Sequence, residues 1–277
     1  MTAVRGGRVE ARAARRARRY GTWYATEYRL RLMRAYGGTI LAGTLANPLI
    51  YIFALGVGLA TLVEQKTGPL SAGGHGYLAF VAPALLGIAA LTVAMEESTY
   101  AVMAGFKWDQ TFFAMNAAPL SPAQVASGNV VIVILRLLVG CSVYQVLLFA
   151  FGAVPSPWGW LTVLVAVLCG TAVAACLVAF SSSLEGEDSP LALVMRFVIT
   201  PMMLFSGTFF PLANLPVFLQ PIGWVSPLWH ATELGRVLNY GAVEPAWLSV
   251  LHVAYLLALT AVGWLLAIRV TTSRLSR

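Results

Sequence analysis

Val163-Leu-Val-Ala-Val-Leu-Cys-Gly-Thr-Ala-Val-Ala-Ala-Cys-Leu-Val-Ala-Phe180 runs without a single charged side chain. A helix needs about 20 mostly apolar residues to cross a bilayer core, and with its flanks this stretch reads as a complete span, 158–183. Working outward, five more stretches of that character lie at 38–62, 77–106 and 123–152 on one side and 190–211 and 246–270 on the other. The 277-residue chain is 59% hydrophobic and only 10% charged, with a mean hydropathy of +0.78. A water-soluble domain of this size does not tolerate such proportions. The expected fold class is an all-α polytopic membrane protein with six transmembrane helices.

Charge gives the orientation. Ten arginines, Arg5, Arg8, Arg12, Arg15, Arg16, Arg18, Arg19, Arg29, Arg31 and Arg34, precede the first span. The positive-inside rule holds that head in the cytoplasm. Six crossings return the C-terminus, with Arg274 and Arg277, to the same side, together with Lys107; only Lys66 and Arg236 fall in outer loops. Both termini are therefore expected in the cytoplasm of a multi-pass protein, with 1–20 a basic tail and 21–277 one transmembrane domain. A secretory signal peptide fits poorly, because no apolar core directly follows the basic residues. The arginine run is read as topogenic charge attracted to anionic membrane lipid, with no nucleic-acid partner, since no folded reader surrounds it. Between Trp23 and Tyr36, Trp23, Tyr24, Tyr28 and Leu32 recur at helical spacing, with Glu27, Arg31 and Arg34 on other faces. That pattern predicts an amphipathic interfacial helix along the inner surface.

Helix ends are written in the polar gaps. Ser121-Pro122-Ala123-Gln124 is a capping-box pattern that starts the third span. Ser189-Pro190 does the same for the fifth, and Pro245 opens the sixth. Trp158, Trp160, Trp247 and Trp264 fall near span ends, as an aromatic belt requires.

Two segments outside the spans carry more information. The inner connection Lys107–Ser121 is unusually apolar, with Trp108, Phe112, Phe113, Met115 and Leu120 seeking cover and Pro119 ending a short helix. That face either tucks under the protein's own bundle or docks a partner. The outer segment Phe210–Gly241 holds Pro216, Pro221, Pro227, Trp229 and Glu233. Its prolines forbid one continuous span, and its apolar content argues against a solvated loop. Two short helices, about 215–222 and 227–239, dipping into the outer leaflet as a re-entrant hairpin (about 210–243) satisfy both facts.

The strings Phe113-Ala-Met-Asn-Ala-Ala-Pro-Leu-Ser-Pro122, Met203-Leu-Phe-Ser-Gly-Thr-Phe-Phe-Pro211 and Leu219-Gln-Pro-Ile-Gly-Trp-Val-Ser-Pro-Leu-Trp-His-Ala-Thr-Glu-Leu-Gly-Arg236 resemble the permease subunit of type-2 (ABC-2) exporters. The likeness is to the branch holding the nodulation export protein NodJ and the daunorubicin-resistance permeases, and it runs from about Tyr20 to the C-terminus. The resemblance implies a bacterial plasma-membrane permease paired with a second copy or a related permease and bound to two cytoplasmic ATPase subunits. It makes 107–120 the coupling helix, seated on the ATPase through Trp108, Phe112, Phe113, Met115, Pro119 and Leu120. ATP and magnesium would belong to that ATPase: no cofactor is expected on this chain, which has no Gly-x-x-x-x-Gly-Lys-Ser/Thr loop and is not itself an enzyme. The arginine-dense Met1–Arg19 departs from the family pattern.

If that pattern holds, spans one, two and five line a path between two permeases. Its apolar and aromatic wall (Tyr51, Phe53, Met202, Met203, Phe205, Phe209, Phe210) suits an amphipathic cargo such as a lipid-linked glycan, a glycolipid or a hydrophobic drug. Intramembrane charge is costly and marks function or pairing. Glu96 and Glu97 on span two, Arg136 on span three and Arg196 on span five all fall in the inner half, so at least one Glu–Arg pair is expected, read here as a structural tie in preference to a gate. The rival function is a gradient-driven carrier in which Glu96 or Glu97 takes up protons. Cys141, Cys169 and Cys176 are packing residues without metal spacing. His75, His230 and His252 lack a carboxylate cluster. Ser206-Gly207 reads as a close-packed point in preference to a nucleophile. The loop Glu185–Asp188 reads as a solvated face.

Overall fold

The computed structural model describes residues 2–59, 76–186 and 189–277, with side chains from Arg18 onward. Lys66, His75, Glu187, Asp188 and the side chains of the first arginines lie outside that set. Among the described residues the chain is helical, without strands. In order, the α-helices are α1 (Thr2–Ala35), α2 (Gly37–Tyr51), α3 (Tyr77–Ser98), α4 (Tyr100–Met103), α5 (Thr111–Ala117), α6 (Pro122–Ala150), α7 (Thr162–Ser183), α8 (Ser189–Val194), α9 (Thr200–Phe205), α10 (Gln220–Val225), α11 (Pro227–Tyr240) and α12 (Ala246–Leu275). Wide π-type turns extend α2 (Ile52–Leu59), follow α4 (Ala104–Trp108) and join α8 to α9 (Met195–Ile199).

Among the described residues, five helical stretches are long and apolar enough to cross a membrane: Gly37–Leu55, Tyr77–Trp108, Pro122–Ala150, Pro157–Ser183 and Ala246–Leu275. The stretch expected at 190–211 is shorter, Ser189–Phe205, about 25 Å at 1.5 Å per residue against a hydrocarbon thickness of about 30 Å. It stops because the backbone turns at Ser206 and Gly207 takes the left-handed φ of 66°, where glycine meets no steric penalty.

The centre of the bundle is α7, packed against α3, α6 and α12. Helices associate in lipid by close packing, and α7 meets α12 almost backbone to backbone. A Cβ on Gly263 would lie 2.9 Å from the Cys176 backbone nitrogen. Cys141, Cys169 and Cys176 are free thiols inside this packing. In contrast, α2 is nearly all on the outside.

Local signals explain the ends. The capping box of α6 is complete: Gln124 N donates to Ser121 Oγ (3.3 Å) and Ser121 N donates to Gln124 Oε1 (3.0 Å). The interfacial helix expected at 23–36 is the second half of a longer helix, α1, which bends at Tyr20 (φ −113°, ψ 16°). Its small residues dock it on the inner end of α6, where a Cβ on Gly128 would come within 2.6 Å of Ala25 Cβ. Trp23, Tyr24, Tyr28 and Leu32 stay exposed on the opposite side. In the outer segment the first short helix begins at Gln220, later than the expected 215, because Pro221 fits the first turn of a helix and not its end. The second, α11, is capped by Ser226, whose Oγ accepts from Leu228 N at 3.2 Å.

Candidate functional site

Four charges gather where α1, α3 and α6 meet. The carboxylate of Glu97 on α3 is held from two sides: Arg29 Nη2 of α1 donates to Oε2 at 2.6 Å, and Arg136 Nη1 of α6 donates to Oε1. Arg136 Nη2 also donates to Glu96 Oε2 at 2.6 Å, and Arg29 Nη1 to the Ala101 carbonyl at 3.2 Å. Arg29 and Glu97 are buried, whereas Glu96 is half exposed. Two guanidiniums and two carboxylates cancel, so the cluster is neutral, and it joins three helices with charge-assisted bonds. Arg29 was read from sequence only as topogenic charge. The signal that marks it is spacing, since Gly21, Ala25 and Arg29 fall four apart on one helical face.

The fourth expected charge, Arg196, does not join. It lies exposed beside Phe197 and Val198 on the outward face of the short α8–α9 stretch, with no ion pair among the described residues. Of the pathway residues, Met202 is buried in the chain's own core. Met203 and Phe209 are partly covered, packed against core residues, and Phe205 is partly covered as well. Tyr51, Phe53 and Phe210 are exposed.

The inner connection forms α5, reached through Gln110 in the left-handed region (φ 52°). Phe112 turns inward: it is buried, edge-on to Phe106 at 4.8 Å, and its ring lies 2.4 Å from where a Gly105 Cβ would stand. Arg274 of α12 covers the same Phe106 ring at 4.1 Å, and Asn116 donates to the Leu275 carbonyl at 3.1 Å. Met115 is half covered. Trp108, Phe113 and Pro119 are left facing outward, with Leu120 partly so. Phe112 therefore cannot form part of a docking face as expected, because its ring is spent on the bundle.

A second buried centre fixes the outer segment. Arg236 of α11, expected only as an outer-loop charge, is buried; it donates to Glu233 at 2.7 Å and to the Gly207 carbonyl at 2.7 Å, and stacks 3.8 Å over the Phe80 ring. Ser206 Oγ lies 2.6 Å from Ser226 Oγ, pinning the turn after α9 to the start of α11. His230 Nε2 is 3.0 Å from the Trp224 carbonyl and its Nδ1 is 2.6 Å from Nδ1 of His252 on α12. A carbonyl only accepts, so His230 carries its proton on Nε2 and accepts from His252. Burial, and then the neighbouring His252, push the His230 imidazole down to about 4. Pro227 is buried, Trp229 and Glu233 are partly covered, and Pro216 and Pro221 are exposed. No group of three or more metal-ligating side chains occurs among the described residues.

Against known families, residues 22–240 match the ABC-2 type transporter family. A Nodulation protein J of Rhizobium leguminosarum bv. viciae is 30% identical over 244 residues, 86% of this chain and 88% of the relative. A Nodulation protein J of Bradyrhizobium diazoefficiens is 28% identical over 246 residues, 86% and 87% of the two chains.

Proposed function

The chain belongs to the ABC-2 type transporter family, membrane components that work with an ATPase subunit, and we propose that it is the permease of an ATP-driven exporter of amphipathic or hydrophobic molecules. In this reading Ser189–Phe205 makes the fifth of six crossings with the help of the turn behind it, both termini are cytoplasmic, and Gln220–Tyr240 forms a re-entrant hairpin. Two permease chains, identical or related, pair with two ATPases that hold ATP and magnesium. ATP-driven closure pushes on α5 and opens a path between the permeases for a lipid-linked glycan, glycolipid or drug. The exposed Arg196, on an apolar face without a partner in its own chain, suits that path or the seam beside it.

The observation that carries the reading is the two-sided build of α5. Its inner side is locked by Phe112, Phe106, Arg274 and Asn116, while Trp108 and Phe113 present 53% and 42% of their surface. A rigidly backed aromatic face transmits a push; a loose loop would absorb it. The proton-carrier alternative, through Glu96 or Glu97, finds less support, since both oxygens of Glu97 already accept from guanidiniums and Glu96 is paired with Arg136.

The deciding experiment is a mild-detergent pull-down of the tagged chain with mass spectrometry of its partners. We expect a Walker-motif ATPase with the unaltered chain and its loss in Trp108→Asp/Phe113→Asp, at an unchanged melting temperature. Absence of any ATPase from the unaltered chain overturns the proposal.

A further inference from the structure

The apolar stretch Tyr77–Trp108 breaks at Thr99, whose φ of −104° and ψ of −98° lie outside the helical region. α3 ends there, with Thr99 N donating to the Met95 carbonyl at 3.1 Å. α4 starts there, with Val102 N and Met103 N both donating to the Thr99 carbonyl at 3.0 Å. Sharp helix breaks usually sit at proline or at glycine, and Glu96-Glu-Ser-Thr-Tyr100 has neither. Local chemistry supplies part of the cause: Thr99 Oγ1 donates back to the Met95 carbonyl at 2.7 Å, a bond that bends helices. The rest comes from other helices.

Two side chains hold the break. In an unbroken helix the Ser98 carbonyl would accept from Val102 N; here it accepts from Ser181 Oγ of α7 at 2.8 Å. Arg29 of α1 straddles the joint, with Nη2 donating to Glu97 on one side of it at 2.6 Å and Nη1 to the Ala101 carbonyl on the other at 3.2 Å. A planar guanidinium fixes two acceptors relative to each other, as an ammonium does not.

Packing divides at the same residue. Before the break, Val81, Leu85 and Ala94 of α3 share a core with Ile132 and Leu137 of α6. Beyond it, Val102, Phe106 and Phe112 belong to a different core, with Val125, Val178, Ala267 and Leu275. Arg274 on the Phe106 ring and the Asn116 bond to the Leu275 carbonyl tie this second piece to the end of α12. Hinges are a few element-terminal residues that absorb a backbone change between packed units, and Thr99 has that position.

We propose that Thr99 is a pivot and that Arg29 is the positioning residue that sets its resting angle. A push on α5 tilts Tyr100–Ala117 together with the end of α12, while α3, moored to α6 through Glu97 and Arg136, keeps its place. The driving force rests on the exporter reading; the joint belongs to the chain alone.

The test is a distance measurement by double electron–electron resonance on the full chain in phosphatidylcholine nanodiscs, with Cys141, Cys169 and Cys176 replaced by alanine. One pair of spin labels is carried by Gly76→Cys, at the start of α3, and Ala114→Cys, exposed on α5. Arg29→Lys keeps the charge but cannot span both acceptors, and it should shift that distance by about 2 Å or more, the scale of functional helix shifts. Ser181→Ala, which leaves the charge cluster whole, should shift it in the same direction. A second pair, Gly76→Cys with Val139→Cys of α6, should stay where it is. An unchanged Gly76–Ala114 distance in both variants, whatever the melting temperature, makes Arg29 a structural tie only and overturns the pivot. Equal shifts in both label pairs also overturn it, since the whole bundle would then have moved. In the complex with the ATPase from the pull-down, ATP with vanadate should shift the Gly76–Ala114 distance as Arg29→Lys does, and a complex that hydrolyses ATP without that shift overturns the pivot's role. Recovery of no ATPase would sink the exporter reading and leave the distances in the lone chain to decide the joint.

Discussion

Arg29 of α1 and Glu97 of α3 meet at 2.6 Å, both buried, with Arg136 holding the other oxygen of the same carboxylate. Removing Arg29 leaves the buried Glu97 carboxylate on Arg136 alone, at a cost below the about 3–5 kcal/mol of a fully stranded buried charge. Arg29→Ala should therefore lower the thermal stability of the purified chain and free α1 from α3. Arg29→Ala/Glu97→Ala should cost less than the sum of the single changes, because contacting residues couple. Melting temperatures of the four proteins check this; additive losses would show that the pair contributes no coupling.

Phe112 and Phe113 are adjacent in sequence and opposite in use. Phe112→Ala opens a void between α5 and Phe106 and should destabilise by about 3–5 kcal/mol. Phe113→Ala, which removes a 42% exposed ring lying edge-on to Phe106 at 6.1 Å, should cost about 1 kcal/mol. Unfolding of both variants in a denaturing detergent distinguishes them, and equal losses would place both rings inside the bundle.

Arg236 serves the outer segment as a planar fork. Arg236→Lys keeps the charge, but an ammonium cannot reach Glu233 and the Gly207 carbonyl together while stacking on Phe80. It should raise hydrogen exchange across Ser206–Leu212 and α11 and lower the melting temperature, with Arg236→Ala doing more. Exchange no faster than in the unaltered chain would show that Arg236 is dispensable to the segment.

How much of this was legible in the sequence depends on the range of the force involved. Apolar run length gave five of the six expected spans, and the Ser121/Gln124 cap gave the start of α6, because both act within a few residues. The short Ser189–Phe205 stretch was not legible at its true length: the stop at Ser206 is set by Ser226, twenty positions away. Glu97 and Arg136 could be picked out as charges in apolar surroundings, yet Arg29 was hidden among nine other arginines before the first span. Phe112 and Phe113 look identical in a pattern and both lie edge-on to Phe106; only the space at Gly105, which takes the Phe112 ring, separates them. His230 and His252 seemed isolated because no local motif brings α11 beside α12.

That histidine contact makes the outer segment sensitive to acid. The His230 imidazole has its folded value pushed down to about 4, from an ordinary 6.5. A depressed value means that the unfolded chain takes the proton first, so the contribution to stability is complete above about 6.5 and is lost as pH falls toward 4. His252 on α12, with Glu244 3.4 Å beyond it, and the stacked Tyr255 ring face the imidazole. Protonated His230 would present a donor at Nδ1, which His252 Nδ1 could accept only by moving its own proton to Nε2 beside Glu244, so the α11–α12 contact must rearrange. Hydrogen exchange of α11 should accelerate between pH 6.5 and 4.5, and His230→Gln, which has no proton to gain, should flatten that dependence. If the acceleration persists unchanged in His230→Gln, the pH response belongs to other groups and the contact is only packing.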